Sequence, residues 1–300
     1  MSFKSPLNYI GGKQKILPQL LPLFPEKIGT FVDLFAGGAN VGINVQAEKV
    51  VLNDNLVYLI QMYQAFQNLP TQDIIKHIEE RITKFELSME NETGYKAMRQ
   101  HYNTEKHPLD LFVLIAYSFN HQIRFNNHHG FNNPFGRNRS SFNRTMRQNL
   151  KHFVETLQTK NIELTAHSFE KFDFEALGKD DFVYCDPPYL ITTGTYNDGK
   201  RGFKGWSEKE ERELLQTLDA LQARHIRFAL SNVLEHKGKK NELLENWLAQ
   251  NPDFQVHHIK NNYANSNYQT LDRNKNASLE VVITNYQKEK HLPTTTLSLF

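Results

Sequence analysis

Cysteine is almost absent from this sequence, Cys185 being the single one in 300 residues. That excludes an internal disulfide framework and any zinc site built on several thiolates, and it fits a reducing compartment. Long apolar runs are missing too. From Met1 to Pro25 the apolar residues are interrupted by Lys4, Lys13 and Lys15 and by Pro6, Pro18 and Pro22, so neither a signal-peptide core nor a membrane span is expected. Internal repeats and low-complexity tracts are absent. The formal net charge of +2 is too small for an argument about partners from the total. What is present, 39% hydrophobic content over this length, can bury a large core in one domain, or in one domain carrying an insertion.

A local absence says more. Between His121 and Lys151 there is no Asp or Glu, while Arg124, Arg137, Arg139, Arg144, Arg147 and Lys151 all fall there, interleaved with Phe125, Phe131, Phe135, Phe142 and many asparagines. Such a mixture can pair with phosphates, stack on bases and hydrogen-bond to base edges. On composition alone it also reads as a solvated basic loop.

Short β-branched and aromatic runs at 30–35, 49–53, 161–166, 181–185, 226–231, 254–259 and 279–286 predict strands. Helical patterns at 207–224, opened by Ser207, and at 241–250 lie between some of them. The alternation predicts an α/β sheet. Residues 56–157 break the rhythm: they offer helical patterns at 56–68, 72–87, 95–101 and 109–119 and no convincing strand. The expectation is a mostly helical insertion at 56–157, with the sheet assembled from 1–55 and 158–300. The last residues, 293–300, read as a loose tail.

The run Phe31-Val32-Asp33-Leu34-Phe35-Ala36-Gly37-Gly38-Ala39-Asn40-Val41-Gly42 reads as a strand ending in a glycine turn that enters a helix. Backbone lacking Cβ atoms can approach a ligand closely there. The spacing is not that of a dinucleotide fingerprint, so it argues only weakly for NAD in particular and more for an adenosine cofactor in general. Asp54, after the next strand, can accept from both hydroxyls of a ribose; taken alone, Asn53-Asp54-Asn55 also reads as a turn. Asn8-Tyr9-Ile10-Gly11-Gly12-Lys13 lacks phosphate-loop spacing. Its lysine beside a glycine turn can hold a carboxylate, and a plain turn is the other reading.

Asp186-Pro187-Pro188-Tyr189 follows an apolar strand where a loop should leave the sheet. Prolines fix the backbone and leave carbonyls free to accept. An exocyclic amino nitrogen is a poor nucleophile because its lone pair is delocalised into the ring. Hydrogen bonds from its two N–H groups to the Asp186 carboxylate and the Pro187 carbonyl would favour a pyramidal nitrogen and offset developing charge. Tyr189 can stack on the base, which must leave the duplex to be reached. Cys185 reads as a core residue, and His128-His129 shows no metal-ligand spacing.

These motifs together resemble the Dam-like adenine-N6 DNA methyltransferases over nearly the whole length. Tyr9-Ile10-Gly11-Gly12-Lys13 is similar to the family's Trp-x-Gly-Gly-Lys. Phe35-Ala36-Gly37-Gly38-Ala39 is similar to its Phe-x-Gly-x-Gly, with Ala39 at the last glycine. The resemblance implies a Rossmann-like α/β methyltransferase sheet with an inserted, mostly helical target-recognition domain. It implies S-adenosylmethionine as cofactor, held by Tyr9, Gly11, Lys13, Phe35, Gly37, Gly38, Asp54, Ser168, Phe169 and Asp186, and no metal. The catalytic set is Asp186, Pro187, Pro188 and Tyr189. Asn120-His121-Gln122-Ile123-Arg124 is similar to the family's Asn-Gly-x-x-Arg, with His121 at the glycine, and Phe131-Asn132-Asn133-Pro134-Phe135-Gly136-Arg137 to a second DNA-approaching segment. Asn120, Gln122, Arg124, Asn133, Pro134, Arg137, Arg139 and Arg144 are thus candidate contacts to double-stranded DNA carrying a short specific site. Ala229-Leu230-Ser231-Asn232 resembles the strand end near the target base, and 261–267 a mobile loop facing DNA. The expected protein is a cytoplasmic monomer of bacterial or phage origin, away from membranes, acting in a restriction-modification system beside a cognate endonuclease, or alone. Cytosine-N4 methylation and a catalytically silent DNA-binding protein are the alternatives.

Overall fold

The computed structural model describes residues 2–195, 206–260 and 278–288; the expected loop at 261–267 and the tail at 293–300 lie outside the described residues. A short helix α1 (Leu17–Leu20) precedes strands β1 (Thr30–Asp33) and β2 (Lys49–Asn53). Five helices follow: α2 (Val57–Asn68), α3 (Thr71–Lys84), α4 (Glu92–Glu105), α5 (Pro108–Tyr117) and α6 (Arg144–Thr159). Then come β3 (Ile162–Thr165), β4 (Phe182–Cys185), α7 (Glu208–Ala223), β5 (Arg227–His236), β6 (Lys239–Lys240), α8 (Glu242–Gln250), β7 (Gln255–His258) and β8 (Ser278–Thr284).

The sheet runs β3-β2-β1-β4-β5-β8-β7, with β6 pairing off the end of β5. The pairs from β3 through β5 are parallel, while β8 is antiparallel to both β5 and β7. This is the expected α/β sheet. Strand order reverses between β1 and β4, so the loops leaving their carboxyl ends flank a crevice of the kind that binds ligands in open parallel sheets.

Both faces of the sheet are covered, which is why its central strands are apolar almost throughout. Phe31, Val50, Leu52, Phe182 and Tyr184 point into one core with α2, α5 and α6. Their neighbours Val32, Val51, Val183, Cys185 and Leu230 point into a second core with α7 and α8. The first core is continuous from β1 and β2 through the helices between β2 and β3. Ser207 caps α7 through a capping box with Glu210, and Asn241 caps α8. Among the described residues no helix is long and apolar enough to cross a membrane.

Two local expectations are corrected. No helix is formed directly after the glycine turn; 39–45 makes single turns, Ile43 N–H to Ala39 O and Val45 N–H to Val41 O. The side chain of Asp33 receives the Gly42 N–H at 3.0 Å instead. Conversely, α6 starts inside the basic stretch, where no helix was predicted. Its stripe of Met146, Leu150, Phe153, Val154 and Leu157 is buried at helical spacing, and the intervening charge masks it.

Candidate active site

Tyr9, Gly11, Lys13, Phe35, Gly37, Gly38 and Asp186 line one pocket, together with Ile10, Gly12, Asp33, Ala36, Asn40, Val41 and Tyr184. The glycine turn is held open by geometry: Gly37 has φ +47°, and a Cβ there would lie 2.8 Å from the Tyr9 ring. Gly11, at φ +77°, needs the same left-handed freedom. Ala39, at the position of the family's last glycine, is buried and also left-handed, with φ 56°.

Asp54 stands behind this turn. Its Oδ2 accepts the Gly37 N–H and its Oδ1 the Leu56 N–H, both at 2.9 Å, so in this structure the carboxylate fixes the glycine loop. Each oxygen keeps a further lone pair. Phe169 is buried against Phe35 and Trp206, with ring centroids 5.7 and 5.6 Å away, and Ser168 precedes it at the start of a short 3-10 turn. Trp206 had no signal in the sequence.

The Asp186 motif occupies the carboxyl end of β4. Lys13 Nζ lies 2.7 Å from Asp186 Oδ1 and 3.8 Å from Glu280 Oε1, and it also donates to the Gly11 carbonyl at 3.0 Å. The carboxylate that Lys13 holds in this structure is that of Asp186. Tyr189 donates its hydroxyl proton between Asp186 Oδ1 and Glu280 Oε1, each 3.1 Å away, and Lys13 Nζ lies 5.1 Å from the centroid of its ring. Glu280 is 2% exposed on β8; sequence reasoning missed it because it stands in an apolar strand far from every motif.

Acid charge is concentrated here in poor solvent. Burial pushes the Asp186 carboxyl up, the Lys13 ammonium opposes that, and Glu280 adds to the rise. Burial pushes Asp33 up to about 8, against the Gly42 hydrogen bond that favours its anion. Asp54 is also raised by burial, against its two backbone hydrogen bonds. Three buried or largely buried acids, Asp186, Glu280 and Asp33, surround one lysine, an arrangement relieved by a cationic ligand. The Cys185 thiol is buried and pushed up by desolvation, consistent with a core residue.

The candidate DNA contacts gather on the loop after α5, closed by bridges between Ser118 and Phe135 and between Phe125 and Phe131, except Arg144, which opens α6. The carbonyl of Asn120 accepts from Asn8 Nδ2 at 2.9 Å, which joins this loop to the Tyr9 turn. Asn120 and His121 have φ 54° and 52°, left-handed conformations that glycine adopts without strain. Gln122 and Arg124 are half-buried, and Pro134, Arg137, Arg139 and Arg144 are exposed.

Three expectations change here. Asn133 is 3% exposed, and both its amide hydrogens go to the carbonyls of Phe119 and Gln122 at 3.0 and 2.9 Å, so it braces the loop from inside. Phe125 and Phe131 are core residues, while the exposed aromatic is Phe119, 40% accessible beneath the Arg139 guanidinium. The acid-free stretch also gains acids in space: Arg137 pairs with Glu92 of α4 at 2.7 Å and Arg147 with Glu79 of α3 at 2.6 Å.

The family profile described as D12 class N6 adenine-specific DNA methyltransferase matches residues 9–265. Type II methyltransferase M.FokI of Planomicrobium okeanokoites is 51% identical over 283 residues, 94% of this chain and 43% of that protein. Modification methylase StsI of Streptococcus sanguinis is 53% identical over 284 residues, 95% of this chain and again 43% of the relative. DNA adenine methylase of Escherichia coli K12 is 26% identical over 232 residues, 75% of this chain and 79% of the relative. The chain thus spans less than half the length of the first two relatives.

Proposed function

As a member of the D12 class N6 adenine-specific DNA methyltransferases, the chain is one that we propose transfers a methyl group to N6 of an adenine turned out of duplex DNA. The carrying observation is the Asp186 carboxylate at the β1–β4 crevice, 2.7 Å from Lys13 and lining the same pocket as the Gly37 turn. S-adenosylmethionine, when bound, supplies an electrophilic methyl group on a sulfonium. The residues fit that group: Gly11, Gly12, Gly37 and Gly38 line the pocket with bare backbone, and the surplus of buried acids suits a cation.

Each side chain then has a task. Asp186 and the Pro187 carbonyl accept the two amino N–H groups of the base, localising the nitrogen lone pair. Pro188 holds the loop rigid. Lys13 keeps Asp186 ionised against its burial, and Glu280 holds the Tyr189 hydroxyl so that its ring is set to stack on the base. Tyr9, Gly11, Gly38, Phe35, Ser168 and Phe169 contact the cofactor, and Asp54 receives its ribose. Methyl transfer from a sulfonium to nitrogen needs no metal.

Residues 56–157 serve as the target-recognition domain. Asn120, Gln122 and Arg124 read bases and Pro134, Arg137, Arg139 and Arg144 approach the backbone, positioned by the buried Asn133. The setting is the cytoplasm, in a restriction-modification system with a cognate endonuclease, the chain acting as a monomer. The two relatives at about 50% identity, whose names describe modification and type II methylases, support that setting. Mass spectrometry of nucleosides from DNA incubated with the purified chain and cofactor tests the reading: N6-methyladenine is expected, and N4-methylcytosine alone, or no methylated base, contradicts it.

A further inference from the structure

Beyond the catalytic level, β5 does not stop with its parallel neighbour. Cys185 is paired with Leu230, so Asp186 stands level with Ser231, yet β5 continues to His236 and turns back into β6. Glu235 pairs with Lys240 and His236 with Lys239. Lys237 and Gly238 between them have φ 50° and 77°, the two left-handed residues of a tight type I′ hairpin. From Ser231 to Lys237 the strand rises about 20 Å at ~3.3 Å per residue, along the direction in which the crevice opens.

The tip of this hairpin is cationic. Lys237, Lys239 and Lys240 are exposed. Glu235 lies across from Lys240 and Glu242 opens the next helix, so Lys237 and Lys239 carry the surplus. Burial, with Lys237 and Lys239 beside it, holds His236 below its usual value, and its Nδ1 lies 2.6 Å from Ser278 Oγ, which fixes the base of the hairpin to β8. The hairpin is therefore a braced projection with two lysines at its end.

Its place in the topology gives it a partner. The helices carrying the arginine-bearing loop leave the sheet after β2 and return at β3, on one side of the β1–β4 crevice. The hairpin rises from β5, on the other side. A duplex delivering a base to Asp186 must lie over the carboxyl edge between them. We infer that Lys237 and Lys239 form a second phosphate-binding arm, which grips the DNA backbone on the flank opposite the recognition loop. This rests on the reading of the chain as a DNA methyltransferase.

The test compares the full chain with its Lys237→Gln/Lys239→Gln variant, using fluorescence anisotropy on several duplexes of different sequence across a salt series. Tritium transfer from labelled cofactor to unmethylated genomic DNA is measured in parallel, and thermal melting verifies folding. If each lysine neutralises one phosphate, the slope of log affinity against log salt becomes shallower by ~1.8. Affinity then falls on the order of tenfold near 0.15 M salt, equally for every duplex, with kcat at saturating DNA unchanged. A slope and affinity equal to those of the parent, or a loss confined to particular sequences, overturns the arm. If the parent itself transfers no methyl group to DNA, the underlying reading falls first, and the arm with it. A Lys239→Glu variant gives the same direction with a larger loss if the arm exists.

Discussion

Lys13 Nζ lies 2.7 Å from Asp186 Oδ1, so the N-terminal glycine turn and the loop after β4 are fastened by an ion pair. The pair sits beside Glu280 and Tyr189. The charge on Asp186 is thus set by two opposing neighbours, a cation that favours the carboxylate and an acid that disfavours it.

Opposite pH shifts follow from that opposition. Only the ionised Asp186 both accepts strongly from an amino N–H and offsets the positive charge developing on the nitrogen, so activity is lost as pH falls through its pKa. Lys13→Met removes the stabilising cation and should move the acid limb of kcat/KM to higher pH, with a loss of tenfold or more near pH 7. Glu280→Gln removes the acid but keeps an acceptor for Tyr189, and should move the limb to lower pH. Profiles of methyl transfer from pH 5 to 9 decide it; a shift of both variants in the same direction contradicts the assignment.

Asp33 gives a stability prediction. Its folded carboxyl sits at about 8, above the unfolded value near 3.9, so the native state binds the extra proton. Its contribution is fully present below about pH 4 and is lost as pH rises towards 8, by up to about 1.4 kcal/mol per pH unit for this one group. Denaturant unfolding of the ligand-free protein should show this decline, and Asp33→Asn should flatten it. A variant whose stability declines as steeply as that of the parent would remove Asp33 from the account.

The sheet and the crevice were legible because each rests on local pattern: short β-branched strands, a glycine turn, and prolines at a strand end. Glu280 was not, since an acid in an apolar strand reveals its role only when β8 is laid beside β5. Helix α6 was obscured by its own arginines. The pairing of Arg137 and Arg147 with Glu92 and Glu79 depends on helix packing that no window of sequence contains. Ala39 and His121 show the converse: both have left-handed backbone, a conformation for which glycine is the usual sequence signal, and neither is glycine.

Asn133→Ala should cost about 1–2 kcal/mol by urea unfolding, from two lost hydrogen bonds, since the Phe119 carbonyl keeps the Gln122 N–H and the Gln122 carbonyl the Ser118 hydroxyl. The Phe119 and Gln122 carbonyls lose their brace, so discrimination between DNA sites should weaken while cofactor affinity, measured by calorimetry, stays constant. Unchanged stability would place Asn133 in a different role.

Arg124→Ala should relax specificity at one base pair by roughly 1–3 kcal/mol if the guanidinium binds a guanine edge in two places. Competition among duplexes differing at single positions measures it. A loss shared equally by all duplexes would assign Arg124 to a phosphate.

The most direct test of the central claim is tritium transfer from labelled S-adenosylmethionine to duplex DNA by the parent chain and by Asp186→Ala, with cofactor binding measured alongside. Label is expected as N6-methyladenine from the parent, with transfer slower by roughly a thousandfold or more in a variant that still folds. Transfer by Asp186→Ala at the parent's rate would contradict the claim.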